Sequence, residues 1–331
     1  MPATSRTLRR DAPALRLRRL LATWGALALL LGLCLAATVA HAQEKVIRVG
    51  YQKYGTLVLL KGKGLLEKKL APLGYSVRWS EFPSGPPLLE ALNAGAIDFG
   101  SAGETPPIFA QAASPGFVYV AAEPPAPRGE AILVPGDSAV RSLADLKGRT
   151  VAFNKGSNVH FLLVQALASA GVSYGDIKPA FLAPADGAAA FARGAVDAWV
   201  IWDPYLASGE RIPGARTLAS AEGLAPNRQF YLSARRFADG NREALNAVIA
   251  AVGELDDWAR ANTDAAAAEL APSVGIPAPV LAVALRRQSY GVAPLDAAAV
   301  ADQQTIADTF HKLGLLPKPI TVSDAVWKPG S

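Results

Sequence analysis

Short apolar runs alternate with helix-forming segments over the first two-thirds of the chain. The runs lie at residues 46–51, 76–82, 117–122, 130–134, 150–153, 178–182 and 195–201. From residue 235 onward the pattern is almost entirely helical, in segments 241–262, 264–271, 278–288 and 294–312. Strands that alternate with helices are typical of α/β folds with mainly parallel sheets. The pattern therefore predicts an α/β fold followed by a helical C-terminal part.

Two helix starts follow one another within residues 80–113. In each, a proline pair stands in the first predicted turn, at 86–87 and at 106–107, where the missing N–H would have no intrahelical partner. Ser84 precedes the first helix, Gly103 and Glu104 precede the second, and a short strand is predicted between them at residues 96–100. Free N–H groups at helix N termini attract anions. One such start is usually an ordinary cap, but two in tandem favour an anion site.

The segment ALNAGAID at residues 91–98 is similar to AFARGAVD at residues 190–197. A strand and a proline-containing helix start follow each copy, and the second start is WDPY at residues 202–205. Two similar α/β units in one chain predict two lobes. The alternative is a chance similarity between alanine-rich helices.

The chain is expected to cross between these lobes twice. A proline-rich segment at residues 123–127 has neither a helical nor an alternating pattern, and the chain returns near residues 218–230. We therefore expect lobe I to comprise residues 43–124 and 223–331, and lobe II residues 125–222. The C-terminal helices are assigned to lobe I because its sheet otherwise has too few covering helices. A cleft and a hinge between the lobes would place a ligand outside the carboxyl ends of parallel strands.

Residues 1–42 have the pattern of a cleaved secretory signal peptide. Six arginines and one acid lie in residues 1–19, an apolar run follows at residues 20–40, and Ala40, His41 and Ala42 form a small-x-small cleavage site. A membrane anchor is the alternative, because the run approaches the length of a transmembrane span. The adjacent arginines at residues 18–19 leave a twin-arginine export route open.

Removal of this leader changes the charge and the available chemistry. The full chain carries 33 Lys and Arg against 28 Asp and Glu, a net charge of +5, but the excess lies wholly in the leader. The mature protein is formally neutral and has no basic run, so nothing in its charge indicates nucleic acid binding. Cys34 is the only cysteine, and its removal excludes a disulfide, a thiolate nucleophile and a Cys-ligated metal.

The mature sequence offers little to an enzyme. His160 and His311 are too far apart for a zinc motif, and neither a G-x-S-x-G nor a G-x-x-x-x-G-K-[ST] sequence occurs. His160 stands at a helix start and is expected to cap or to pack rather than to act as a base. Asp98 and Asp197 could form a carboxylate pair, but each occupies the same position of its repeat, which favours a structural role. We therefore expect no catalytic activity, no metal and no cofactor.

A third anion-binding segment is predicted at Gly156, Ser157 and Asn158. These residues precede a long helix with no proline in its first turn, so several N–H groups and two polar side chains can converge on one point. A plain Ser/Asn cap is the alternative. Trp202 and Tyr205 add aromatic rings beside another helix start, which suits an organic tail behind a charged head. Trp202 could equally pack in the core.

Taken together, these segments resemble the aliphatic sulfonate-binding proteins of ABC importers. The similar segments are RVGYQK at 48–53, EFPSGP at 81–86, LNAGAIDFG at 92–100, GETPPIFAQ at 103–111, NKGSNVH at 154–160, WDPY at 202–205 and GLLPK at 314–318. The resemblance implies a type II periplasmic binding protein with two lobes, each a mixed, mainly parallel sheet flanked by helices, which close around an alkanesulfonate. It also implies that a membrane permease and an ATPase receive the ligand for sulfur supply. The protein is expected to be a periplasmic monomer.

The expected site holds the sulfonate with neutral donors. A sulfonate is a permanent anion, and four or five hydrogen bonds of roughly 1.5–3 kcal/mol gross can supply the net ~8 kcal/mol of micromolar affinity. The expected ligand-binding residues are Gln52, Thr56, Ser84, Gly85, Gly103 and Glu104 from lobe I, and Ser157, Asn158, Trp202 and Asp203 from lobe II. A carboxylate repels an anion, so for Glu104 and Asp203 a backbone N–H or a cationic partner is expected to matter. Arg228 and Arg286 are the candidates for that partner.

Other ligands are open within the same fold. Relatives that bind taurine, nitrate or pyrimidine precursors share it, so a taurine or nitrate receptor is the alternative, and an amino group on the ligand would give Glu104 or Asp203 a direct role. One offshoot of the fold makes a thiamine precursor at a Cys-rich iron site, which the mature chain lacks. An enzyme of that kind would need a base and a cofactor lysine, for which Lys155 is the candidate.

Overall fold

The computed structural model describes residues 45–53, 55–114 and 116–328. The predicted signal peptide lies outside these residues. The described chain forms two five-stranded sheets, each flanked by helices. This confirms the predicted two-lobed α/β fold, and we keep the names lobe I and lobe II for the parts built on the first and the second sheet.

The elements follow the predicted alternation. The first part contains β1 (Lys45–Tyr51), α1 (Thr56–Lys63), α2 (Leu65–Leu70), β2 (Tyr75–Glu81), α3 (Gly85–Asn93), β3 (Phe99–Gly103), α4 (Thr105–Ala113) and β4 (Phe117–Ala122). Then come β5 (Glu130–Pro135), β6 (Thr150–Phe153), α5 (Asn158–Ser169), β7 (Lys178–Phe181), α6 (Pro184–Ala192), β8 (Ala198–Trp202), α7 (Tyr205–Gly209) and β9 (Ala215–Ser220). The last part contains β10 (Gln229–Ala234), α8 (Arg235–Gly240), α9 (Arg242–Ala261), α10 (Thr263–Val274), α11 (Ala278–Arg287) and α12 (Ala297–Lys312).

The two sheets have the same arrangement of strands. Lobe I has the order β2-β1-β3-β10-β4 and lobe II the order β7-β6-β8-β5-β9. In each sheet four strands run in the same direction, and the strand that enters from the other lobe, β10 or β5, is antiparallel to both of its neighbours. The sequence repeat is therefore a repeat of topology, as predicted. The carboxyl ends of β1, β2 and β3 and those of β6 and β8 lead into the segments predicted to bind the ligand.

Two strands begin later than predicted, for the same reason in both lobes. Gly95 and Gly194 adopt left-handed conformations, with φ of 71° and 70°, and the next N–H closes the preceding helix by bonding to the carbonyl of Ala91 or Ala190. This helix-ending turn occupies the residues that were assigned to the start of the strand. β3 also ends later than predicted, at Gly103, which pairs with Gln229 of β10 and therefore belongs to a strand and not to a helix start.

The aspartates of the repeat have the structural role that was predicted. Asp98 accepts the backbone N–H of Arg48 at 3.0 Å and its guanidinium Nη2 at 2.6 Å. Asp197 accepts the backbone N–H of Thr150 at 2.7 Å. Each carboxylate ties the start of a strand to the neighbouring strand. No strand was predicted at β9, and between β5 and β6 a short 3₁₀ turn, Leu143–Leu146, forms.

The C-terminal helices cover lobe I, with one that also contacts lobe II. Helix α9 packs against α1 and α2, and α12 packs against α4. Helix α11 packs against α10 and also against α7 of lobe II, where Val280 and Ala284 meet Ala207 in a small apolar cluster.

Among the described residues, no single helix is long and apolar enough to cross a membrane. Helices α10 and α11, which meet at a bend of 118°, together match a broken membrane span in length and composition only.

The two crossings between the sheets are bonded to each other. Asn227 in the second crossing donates its side-chain amide to the carbonyl of Ala126 in the first at 2.8 Å, and the N–H of Ala126 reaches the carbonyl of Pro226 at 3.0 Å. Asn227 has a φ of 50°, a conformation that Asn tolerates better than most residues. The crossings therefore form a paired hinge segment. The predicted domain boundaries remain a prediction.

Candidate ligand-binding site

Helix starts from both lobes meet at one place. Gly103, the last residue of β3, faces the side chain of Asn158, the first residue of α5, so closely that a Cβ on Gly103 would lie 2.9 Å from Oδ1. Gly156 faces the ring of Phe109 in α4 in the same way, with 3.7 Å between an added Cβ and Cδ2. The N terminus of α5 in lobe II therefore lies against the β3–α4 junction of lobe I.

The starts of α3 and α4 pack side by side within lobe I. A Cβ on Gly85 would lie 2.6 Å from Cγ of Pro106, so only glycine fits at this position. Ser84 is buried, and its side chain makes no capping hydrogen bond. The first-turn N–H groups of a helix have no intrahelical partner, and among the first three residues of α3 only Gly85 has an N–H, because Pro86 and Pro87 lack it.

Thr105 has a buried hydroxyl and was not among the predicted site residues. It is the first residue of α4, it is fully buried, and its hydroxyl has no hydrogen-bond partner among the described residues. A buried hydroxyl without a partner costs free energy unless another molecule supplies one. Its position directly before a proline pair was the available signal.

Gln52 and Trp202 line a common cavity of about 130 Å³. Phe82 and Tyr205 also line it, so aromatic rings from both lobes face each other there. Gln52 donates Nε2 to the carbonyl of Ser101 at 3.1 Å, which fixes the plane of its amide. The structure thus brings two of the expected residues together and adds Phe82, which directly follows β2.

The side chains of Ser157 and Asn158 are used within the protein. Ser157 donates its hydroxyl to the carbonyl of Asn154 at 2.7 Å. Asn158 donates Nδ2 to Oε2 of Glu130 at 2.5 Å and to Oδ1 of Asn227 at 3.2 Å. Because both amide hydrogens have partners, what this segment offers a ligand is its first-turn backbone N–H groups and the lone pairs of the Ser157 hydroxyl.

Thr56 also points its hydroxyl into lobe I. Oγ1 donates to Oδ1 of Asp256 at 2.6 Å, and the other oxygen of Asp256 accepts the N–H groups of Gly291 and Val292. The start of α1 is thereby bonded to α9 and to the segment after α11. The hydroxyl hydrogen of Thr56 therefore bonds within lobe I and is not free to bind a ligand.

Glu104 lies buried at the start of α4. Its Oε2 accepts the backbone N–H of Arg228 at 3.0 Å, and its carbonyl accepts Nε2 of Gln303 at 2.8 Å. Burial raises the pKa of Glu104 to about 8, because the charged form loses its hydration. At neutral pH this carboxyl is largely uncharged, which removes the expected repulsion of an anion.

Glu130 is buried nearby, at the start of lobe II. Burial, and then the charge of Glu104, raise the pKa of its carboxyl well above the ordinary value. It holds the amide of Asn158, as described above. Two carboxyls, one from each lobe, therefore lie close enough at the base of the cleft to influence each other's protonation.

Asp203 obtains its cation from lobe I. This residue is fully buried, its Oδ1 accepts the N–H of Ala207 at 3.0 Å, and Nη1 of Arg287 lies 3.6 Å from the same oxygen. Burial raises the pKa of Asp203 to about 7, and the guanidinium of Arg287 opposes this rise. Arg287 also pairs with Glu210 at 2.7 Å, so the end of α11 is bonded to both ends of α7.

Of the two arginines that were expected to serve as partners, Arg228 lies against Glu104, where its charge favours the ionised carboxylate, and Arg286 pairs elsewhere. Arg286 pairs with the exposed Asp264 at 2.5 Å. The prediction for Arg286 was therefore wrong, and the next residue, Arg287, is the partner of Asp203. Arg228 meets Glu104 through its backbone N–H, and its guanidinium pairs with Asp302 at 3.3 Å. The direction of a side chain at the end of α11 depends on how that helix packs, which the sequence pattern did not reveal.

His160 positions the predicted anion-binding segment. Its Nδ1 accepts the N–H of Gly156 at 3.3 Å, and Nε2 lies 3.0 Å from the hydroxyl of Tyr174. The ring packs near Phe153 and near Phe310 of lobe I, with 4.9 Å between centroids in each case. Burial lowers the pKa of His160 to about 4, so the ring is neutral at physiological pH. The expectation of a packing histidine is confirmed.

The arrangement is suited to binding. Across residues 45–53, 55–114 and 116–328, no group of three or more His, Cys, Asp or Glu residues is placed to hold a metal ion. The groups that meet in the cleft are backbone N–H groups, hydroxyls and aromatic rings, together with carboxyls whose pKa values are raised. Such a site can hold an anion with neutral donors.

Comparison with known proteins identifies the family. The model of the NMT1-like family matches residues 41–274. A relative from Escherichia coli (strain K12), named for binding aliphatic sulfonates, is 44% identical over 306 residues, which cover 92% of this chain and 95% of the relative.

Solved structures agree with this assignment. The alkanesulfonate-binding protein SsuA from Xanthomonas axonopodis pv. citri, bound to MOPS, is 43% identical with a TM-score of 0.82, over 86% of this chain and 99% of that chain. The periplasmic aliphatic sulphonate binding protein SsuA from Escherichia coli is 44% identical with a TM-score of 0.79, over 87% of this chain and 93% of that chain. This chain therefore belongs to the NMT1-like family and, within it, to the aliphatic sulfonate-binding proteins with a two-lobed fold.

Proposed function

We propose that this protein is a periplasmic solute-binding protein that captures alkanesulfonates between its lobes and delivers them to the permease and ATPase of an ABC importer for sulfur acquisition. The similarity to two sulfonate-binding proteins of known structure supports the ligand class. The observation that carries the proposal is the approach of Asn158 to Gly103, because it brings the donors of α5 to those of α3 and α4. The protein acts as a monomer.

The sulfonate oxygens are held by neutral groups. Proline at the second and third positions of α3 and α4 leaves Gly85 and Thr105 as the first N–H donors of these helices, and α5 adds those of Asn158 and Val159. The hydroxyls of Ser84 and Thr105 lie among them. Each helix also contributes the positive end of its dipole. Since the ligand is a permanent anion and these donors do not titrate, the site works without a buried Arg or Lys.

Calorimetry with ethanesulfonate, taurine, nitrate and sulfate tests the ligand class. We expect ethanesulfonate to bind with a dissociation constant in the micromolar range or below, and nitrate and sulfate to bind at least about tenfold more weakly because they offer no apolar part to the aromatic rings of Phe82, Trp202 and Tyr205. The absence of heat with every sulfonate would refute the proposal.

Replacement of Thr105 by Val tests the site itself. The change keeps the shape of the side chain and removes a hydroxyl that has no partner within the described protein. A hydrogen bond to a charged group contributes roughly 1.5–3 kcal/mol, so the affinity for ethanesulfonate should fall at least about tenfold. The control is Thr309→Val, since that exposed hydroxyl bonds only to the carbonyl of Thr305 in its own helix. Equal affinity of Thr105→Val and Thr309→Val for ethanesulfonate would mean that the start of α4 is an ordinary helix cap and does not bind the ligand.

A taurine receptor is the second candidate, and one observation favours it. Oε1 of Glu104 and Oδ2 of Asp203 are buried without a hydrogen-bond partner among the described residues. An ammonium group on the ligand would supply one. A taurine-binding periplasmic protein of Escherichia coli is 28% identical over 53% of this chain. If taurine binds at least tenfold more tightly than ethanesulfonate in the same titration, the second candidate replaces the first.

A further inference from the structure

A second cavity, of about 320 Å³, lies between α3 and α4. Its walls include Pro86, Leu89 and Asn93 from one helix and Pro106, Phe109 and Ala113 from the other. Residues spaced by three or four lie on one face of a helix, so the cavity is an apolar groove between two facing helix surfaces. It runs along eight residues of each helix, and the seven steps between them correspond to ~10 Å at 1.5 Å per residue.

One end of this groove is formed by residues that are next in sequence to the proposed head-group donors. Pro86 directly follows Gly85, Pro106 directly follows Thr105, and Gly156 of lobe II, which also lines the groove, directly precedes Ser157. A ligand whose head is held by the first N–H groups of α3, α4 and α5 therefore has the groove beside it. The opposite end, at Ala113, is exposed.

We propose that this groove binds the hydrocarbon tail of alkanesulfonates of about six to eight carbons, and that the protein prefers them to ethanesulfonate. The inference rests on the proposed function and specifies its substrate class. The apolar walls gain from burying methylene groups, at ~0.8 kcal/mol for each that is fully buried, which is roughly a fourfold gain in affinity.

The charged groups near the groove agree with an uncharged tail. Glu90 lines its wall, and a carboxylate there repels a second anionic group on the ligand. Lys155 also lines it, but its ammonium lies over the ring of Phe181 in lobe II, 5.2 Å from the centroid. A ligand with an anion at each end is therefore disfavoured.

The smaller cavity, at Gln52 and Trp202, fits a long tail less well. Its volume is about 130 Å³, and Lys53 and Glu81, which line it, form an ion pair of 3.8 Å. An alkyl chain placed there would have to displace the water around two charges. We therefore place short or polar substituents in that cavity and long alkyl tails in the groove.

A series of ethane-, butane-, hexane- and octanesulfonate, titrated by calorimetry, tests the inference. In the wild type we expect affinity to rise at least about tenfold from ethane- to octanesulfonate. In Ala113→Trp the indole fills the exposed end of the groove, and the ratio of octane- to ethanesulfonate affinity should fall at least about fivefold. Ala268→Trp, at an exposed position of α10 away from the groove, is the matched control and should keep the wild-type ratio.

The outcomes separate the inference from the proposed function. If ethanesulfonate binds but affinity does not rise with tail length, or if Ala113→Trp keeps the wild-type ratio, the groove does not hold the tail and only the inference fails. If no sulfonate of the series binds to the wild type, the proposed function itself fails.

Discussion

Replacing Gly103 by Ala should weaken ligand binding while sparing the ligand-free fold. The added Cβ would lie 2.9, 3.0 and 3.1 Å from Oδ1, Cγ and Cβ of Asn158, all closer than ordinary contact. Asn158 cannot easily move aside, because Glu130 and Asn227 hold its amide. The backbone itself accepts alanine, since Gly103 is not among the glycines with positive φ.

The size of the effect follows from the place of the contact. Inserting a carbon into a well-packed contact costs ~1–3 kcal/mol. Gly103 belongs to lobe I and Asn158 to lobe II, so this cost applies only where the lobes touch. We expect the ligand to require that contact and the ligand-free lobes to separate at the hinge. The affinity for ethanesulfonate should therefore fall by roughly 5- to 150-fold, with less than ~0.5 kcal/mol lost in the unfolding free energy of the ligand-free protein.

Calorimetry and urea unfolding of the same preparations measure the two quantities. Gly62→Ala is the matched control, because nothing lies within 4 Å of its added Cβ. It should leave affinity unchanged and raise stability by up to ~1 kcal/mol, as alanine does inside a helix. If Gly103→Ala binds ethanesulfonate as tightly as the wild type, the approach of the two lobes at this point is not part of the bound state and the argument is refuted.

Two further predictions concern buried carboxyls. Arg287→Met removes the cation that faces the buried Asp203 and should lower the free energy of unfolding in urea by ~2 kcal/mol. The control Arg286→Met, at an exposed ion pair, should change this free energy by less than ~0.5 kcal/mol. Equal effects of the two substitutions would mean that the pair between Arg287 and Asp203 contributes nothing to stability. Burial raises the pKa of Glu123 to about 8, and Tyr231 donates to its Oε1 at 2.5 Å, so the folded state keeps a proton that the unfolded chain releases near pH 4.5. The unfolding free energy should therefore fall as pH rises from about 5 to 8, with a slope of up to ~1.4 kcal/mol per pH unit for this group. In Glu123→Gln the unfolding free energy, measured in urea between pH 5 and 9, should fall less steeply with pH than in the wild type. An unchanged slope would contradict the raised pKa of Glu123.

Local chemistry in the chain decided where helices begin and how the lobes repeat. The proline pairs at 86–87 and 106–107 lie in the first turns of α3 and α4, and Ser157 stands directly before α5. A helix start depends on residues within about four positions of it, so the sequence contains the necessary information. The repeat around Gly95 and Gly194 predicted two similar sheets for the same reason.

The partners of the site residues could be learned only from the tertiary structure. Asn158 bonds to Glu130 and Asn227, which are 28 and 69 positions away, and Thr56 bonds to Asp256, 200 positions away. Such distances are closed by the packing of sheets and helices, which no local pattern records. For this reason the sequence could name Ser157, Asn158 and Thr56 as polar groups but could not show that their donors were occupied.

The same limit explains the residues that were missed or misplaced. Arg286 and Arg287 are indistinguishable in sequence, and only the packing of α11 against α7 directs Arg287 to the buried Asp203 and Arg286 to the exposed Asp264. Thr105 became a candidate because its hydroxyl is buried without a partner, a property of the folded surroundings. Helix starts are set by short-range hydrogen bonding along the chain, whereas burial, pKa and the meeting of donors across a cleft are set by which distant segments the fold brings together.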